Sequence, residues 1–146
     1  MDNQVRTLAY AVAEVLQQYI ERHDDMLGRT FLAFLKPINF ASNADELTRI
    51  GSRLEILRSE AVVLNASPAA QPRHHGYLNV MISYIEALAA TIALLRSLAT
   101  QLRSKADGRG YSAGEYRDDL AKYRLGVDRY RHVGQALKTA WLQAQL

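Results

Sequence analysis

The 146-residue sequence predicts an all-α fold, an up-down-up-down four-helix bundle with long helices. Three observations carry this. Four segments place apolar residues at alternating steps of three and four, each segment is closed by a proline- or glycine-bearing connection, and no internal repeat of solenoid length is present. The chain length suits one domain spanning residues 1–146.

The first helix is expected over about residues 2–35, with Val5, Leu8, Val12, Leu16, Tyr19, Leu27, Phe31 and Phe34 on one face. A helix of that length would extend about 50 Å. Pro37 should end it, because proline lacks a donor and pushes the residue before it out of the helical region.

A second helix is expected over residues 43–64. Ser42 and Asn43 offer alternative N-caps, and Asp45 and Glu46 fall in a first turn whose dipole favours acids. Its stripe is Leu47, Ile50, Leu54, Leu57, Ala61 and Leu64, and the connection after it carries Pro68 and Pro72.

The third helix is expected over residues 74–105, with Pro72 or the residue after Gly76 as possible starts. Leu78, Met81, Ile85, Leu88, Ile92, Leu95, Ala99 and Leu102 form its core stripe, and its reverse side is also poor in charge. A helix apolar all round is expected to be buried on more than one side. Its apolar stretch approaches membrane length, but Asn79, Ser83 and Glu86 interrupt it, so no membrane partner is expected.

After the turn Asp107-Gly108-Arg109-Gly110, Ser112 and Glu115 read as a capping box opening a fourth helix over residues 113–145. Its stripe is Tyr116, Leu120, Tyr123, Val127, Tyr130, Gly134, Leu137, Trp141 and Ala144.

Composition narrows the function classes. The chain has no cysteine, which excludes disulfides, thiol catalysis and Cys-ligated metals and fits a reducing compartment, so a cytoplasmic location is expected. The N-terminus lacks the basic-then-apolar pattern of a secretory signal. The net charge of +3 is mild, but the first two helical segments are slightly acidic and the last two basic, as in a self-neutralising bundle.

Three Tyr-Arg pairs stand seven residues apart in the fourth helix, Tyr116-Arg117, Tyr123-Arg124 and Tyr130-Arg131, continued by Leu137-Lys138. Exposed tyrosines beside Arg117, Arg124, Arg131 and Lys138 would suit nucleic acid or another polyanion, with Arg103, Lys105 and Arg109 in support. Phased against Leu120, Val127 and Trp141, however, the tyrosines belong to the core. The arginines would then be free to meet Glu14 and Glu21 of the first helix.

Ser83, Ala87, Ala90, Leu94 and Ser97 form a second line on the third helix, a candidate homodimer seam. His23 beside Asp24 and Asp25, and Asp128 with His132, are weak metal candidates; neither Glu-x-x-His nor His-x-x-x-His occurs. His74-His75 reads as a solvated turn. Gly126 and Gly134 imply close helix packing, with Phe31 or Tyr84 filling the space beside Gly134.

The arginine-to-histidine spacing of helical-bundle nucleases, a glycine-rich phosphate loop and a Ser/His/Asp set are all missing, so no catalytic or cofactor-binding residue is assigned and no cofactor is expected. The expected function is a non-catalytic assembly or adaptor bundle, homo-oligomeric or bound to a protein partner. Polyanion binding is the alternative, and a metal-binding or enzymatic bundle the second alternative.

Overall fold

The computed structural model describes residues 1–28 and 38–146. Four helices follow one another: α1 (Asp2–Leu27), α2 (Phe40–Asn65), α3 (Pro72–Ala106) and α4 (Ala113–Ala144). Neighbours in sequence pack together, α1 on α2, α2 on α3 and α3 on α4, giving the expected all-α four-helix bundle.

α1 ends eight residues earlier than its apolar pattern suggests. At Gly28 the backbone turns extended, and a Cβ there would stand 2.9 Å from both the Cα and the carbonyl oxygen of Asp24. Only glycine fits that approach without movement. Phe31, Phe34 and Pro37 lie outside the described residues.

α2 starts earlier than expected, because Asn39 is its N-cap and accepts the Ser42 backbone N–H at 2.9 Å. Asp45 and Glu46 therefore fall beyond the first turn. Asn43, read as a cap, is instead buried. Its amide donates to Asp25 at 2.7 Å and to the Asn39 carbonyl at 3.0 Å, and its oxygen accepts from Arg22 at 3.3 Å. These bonds join the end of α1 to the start of α2.

α3 begins at Pro72 and is the core helix. Its stripe from Leu78 to Ala99 is buried, as are Tyr77, Tyr84, Ala87, Thr91 and Leu98 around it. It is long and apolar enough to cross a membrane by length and composition, yet half of its most apolar stretch is enclosed by the bundle. The turn after it uses Gly108 at φ +83, in the left-handed region that favours glycine. Ser112 then caps α4 by accepting the Glu115 N–H at 3.1 Å. The reciprocal half of the capping box is replaced, since the Glu115 carboxylate accepts from the Ser112 hydroxyl.

Close packing of α3 on α4 depends on Gly126, where a Cβ would meet Thr91 Oγ1 at 3.1 Å and Leu94 Cδ1 at 3.3 Å. α1 contrasts with this. It packs along α2 and more lightly on α3, and its backbone stays apart from that of α4. Val15 and Met26 are accordingly buried, while Leu16, placed on the core stripe by spacing alone, is half-buried toward α4.

Candidate functional site

The seam between α1 and α4 is joined at two places. Toward the end of α1, Tyr19 and Tyr123 share a hydrogen bond between hydroxyls, and the Tyr123 hydroxyl lies 2.5 Å from His23 Nδ1. A neutral imidazole with its proton on Nε2, accepting from Tyr123 while Tyr123 accepts from Tyr19, satisfies all three groups. Burial holds the His23 imidazole below its ordinary value; Arg131 adds to this and Asp24 opposes it. Burial likewise pushes the Tyr19 and Tyr123 hydroxyls upward, so both stay protonated.

At the opposite end, Arg73 Nη2 donates to both carboxylate oxygens of Asp2, at 2.8 and 2.9 Å. Its Nη1 donates to the carbonyls of Ala144 and Gln145 at 3.2 and 3.3 Å. His74 is buried rather than solvated. Its Nδ1 accepts the Gln71 backbone N–H at 2.9 Å, and its Nε2 donates to Asp2 at 2.5 Å. The His74 hydrogen bond, and then those from Arg73, hold the Asp2 carboxyl below its ordinary range. Three helix termini meet here: the starts of α1 and α3 and the end of α4.

Between the two joins lies a groove of about 580 Å³. Ala9, Val12, Ala13, Leu16 and Ile20 form its α1 wall, and Gly134, Leu137, Lys138 and Trp141 its α4 wall. Tyr77, Met81 and Tyr84 of α3 form the floor. Aromatic rings prop the walls: Tyr130 meets Tyr19 edge-on at 5.7 Å and Tyr84 at 6.3 Å, and Tyr77 meets Trp141 at 5.4 Å. Ala9, Ala13 and Gly134 are too small to close what the rings hold open. Part of the space beside Gly134 is filled by Tyr84, whose Cε2 lies 3.2 Å from where a Cβ would be.

The Tyr-Arg ladder divides as its phase predicts. Tyr123 and Tyr130 are buried, Tyr116 is half-buried, and Arg117, Arg124, Arg131 and Lys138 are exposed. Tyr123 and Tyr130 thus offer no open stacking face. Pairing with α1 does not form: Glu14 faces Arg53 of α2 at 3.5 Å, and among the described residues neither Glu21 nor any of the four ladder cations enters a salt bridge. The reason is the face they occupy: Glu21 stands seven residues from Glu14, on the same line of α1, and Glu14 faces α2. Arg131 and Lys138 instead border the groove.

Comparison with known protein families, characterised proteins and solved structures finds no match to this chain.

The other sequence candidates are scattered. Ser83, Ala90 and Ser97 are exposed, but Ala87 is buried and Leu94 packs beside Gly126, so only part of the proposed seam faces outward. Asp128 and His132 are exposed and His23 bonds Tyr123. Among the described residues, no three His, Asp or Glu side chains gather as a metal-ligand set.

Sequence reasoning missed Ala9, Ala13, Tyr77 and Tyr84 as site residues. Tyr77 and Tyr84 stand seven apart on α3, the same interval as the ladder on α4, and that shared interval was the available signal.

Proposed function

We propose that the protein is a non-catalytic binding bundle whose α1/α4 groove takes up a small apolar ligand. The observation that carries this reading is a groove walled by aromatic and small residues and bordered at one end by the hydrogen-bonded His23 and Tyr19. Its volume is within the range of roughly 300–1,000 Å³ common to small-molecule sites. A bundle of this kind supports binding between facing helices without catalytic groups.

Trp141 is the sole tryptophan and lines the groove, so it reports occupancy directly. Titration with phenylnaphthylamine, a neutral apolar probe, should quench Trp141 saturably. Ala13→Phe, which fills the groove from an exposed position, should abolish the response with the unfolding midpoint unchanged. Unsaturable quenching, or identical titration of the variant, would count against the reading.

Assembly with a second copy is the other reading, favoured by Ile56 and Val63, which stand 61% and 69% exposed seven residues apart on α2. A self-complementary dimer would cover both. Light scattering should then give twice the chain mass, reduced to one chain by Ile56→Glu with Val63→Glu; a single-chain mass for the parent protein would remove this reading.

A further inference from the structure

Resting on the groove as a ligand site, we propose that its ligand is an organic acid: a compact aromatic or branched apolar body carrying one carboxylate, sulfonate or phosphate group, with the acid held at Lys138. The body follows from the walls. Trp141, Tyr77 and Tyr84 present rings, and Leu16 and Met81 supply aliphatic surface. The Tyr19 hydroxyl is engaged by Tyr123 and is not free to serve a ligand.

The acid follows from the distribution of charge along the lips. Three formal charges border the groove, Arg131, Lys138 and Asp24. Asp24 and Arg131 both border the groove with His23, one acid and one base, so their formal charges there sum to zero. Lys138 lies two helical turns further along α4, and the joins at Asp2–Ala144 and Tyr19–Tyr130 fix which part of α1 faces it.

That part is Ala9 and Ala13, which carry no charge. Glu14, the nearest acid in sequence, faces Arg53 on the α2 side. Lys138 is thus an ammonium without an acidic partner among the described residues, beside a low-dielectric wall that strengthens its attraction for an anion. The Tyr19–Tyr123–His23 join bounds the groove at its inner end, which favours a compact molecule over an extended chain.

A matched pair of probes tests the class. Anilinonaphthalene sulfonate and phenylnaphthylamine share a ring system and differ by the anionic group. Followed through Trp141 quenching at low salt, the sulfonate should bind about tenfold more tightly than the neutral probe, the scale of one charge-assisted contact. Lys138→Gln should remove that advantage and leave the neutral probe's affinity unchanged, while Lys138→Arg should retain it.

Equal affinity of the two probes for the parent protein would overturn the acid assignment and leave the groove reading standing. A sulfonate preference that survives in Lys138→Gln would overturn the role of Lys138. Failure of both probes to quench Trp141 would overturn the groove reading and the acid assignment together. Lys138 is exposed, so matching unfolding midpoints for parent and variants would show that affinity, not folding, has changed.

Discussion

His23 Nδ1 lies 2.5 Å from the Tyr123 hydroxyl, and that hydroxyl also meets the hydroxyl of Tyr19, so one phenol on α4 serves two partners on α1. The two rings also stack, with centroids 5.7 Å apart and planes at 30°. Tyr123 is buried, and its hydroxyl is the middle member of the chain. This arrangement fixes the spacing of α1 and α4 at one end of the groove.

Tyr123→Phe removes the middle member and leaves the buried Tyr19 hydroxyl without its partner. The expected cost is about 1–3 kcal/mol, the penalty for an unsatisfied buried polar group. Tyr19→Phe combined with Tyr123→Phe should cost less than the sum of the two single changes, because the stranded hydroxyl is gone. Urea unfolding of the four proteins measures this; strict additivity would mean that the hydroxyls are not coupled.

The His23 imidazole titrates lower in the folded chain than its ordinary value of 6.5, chiefly through burial. The unfolded chain therefore binds the proton more readily. The stability associated with neutral His23 should be fully present above that value and decline as pH falls toward the lower folded one. Stability measured across this window should fall with acid in the parent and fall less in His23→Gln. Parallel profiles would contradict the burial argument.

Asp2 has the behaviour of a depressed carboxylate. Its contribution is present above the ordinary value of 3.8 and is lost as pH falls through the lower folded value. The stability difference between the parent and Asp2→Asn should therefore narrow in acid. Arg73→Lys keeps the charge but offers one nitrogen where Arg73 sets Nη2 on Asp2 and Nη1 on the carbonyls of Ala144 and Gln145, so the bridge between them is lost. Hydrogen exchange should then quicken at the start of α1 and the end of α4; unchanged protection there would count against the clamp.

Two glycines on α4 should respond differently to alanine. Each change gains about 1 kcal/mol of helix propensity. At Gly126 the new methyl meets Thr91, which is buried and bonded to the Ala87 carbonyl at 2.8 Å, so the neighbour resists movement and stability should fall. At Gly134 it meets the edge of the Tyr84 ring, which borders the groove and can shift, so stability should hold or rise. Thermal unfolding compares them, and the reverse order would contradict the packing described.

Much of the fold was legible because spacing records which face of a helix is inside. The α2 stripe from Leu47 to Ala61 and the inward phase of Tyr123 and Tyr130 follow from it directly. Leu16 packs against the core but stays half-buried, since spacing does not record how close a neighbour comes, and α1 lacks a close one toward α4. The Asn39 cap was not legible, since Ser42 and Asn43 are equally good capping residues close by and tertiary bonds from Asn43 to Arg22 and Asp25 decide among them. The Asp2–Arg73–His74 cluster joins residues more than seventy positions apart, beyond any local pattern. The groove likewise brings together α1, α3 and α4 residues far apart in sequence, so only Tyr130 and its basic lip, Arg131 and Lys138, stood out in advance.

Binding of a ligand in the α1/α4 groove is read residue by residue by backbone amide chemical-shift mapping during an anilinonaphthalene sulfonate titration. Saturable shifts should cluster at Ala9, Ala13, Gly134, Lys138 and the Trp141 indole, which line the two walls. Shifts centred on Ile56 and Val63 of the outer α1/α2 face, with the groove amides unmoved, would contradict it.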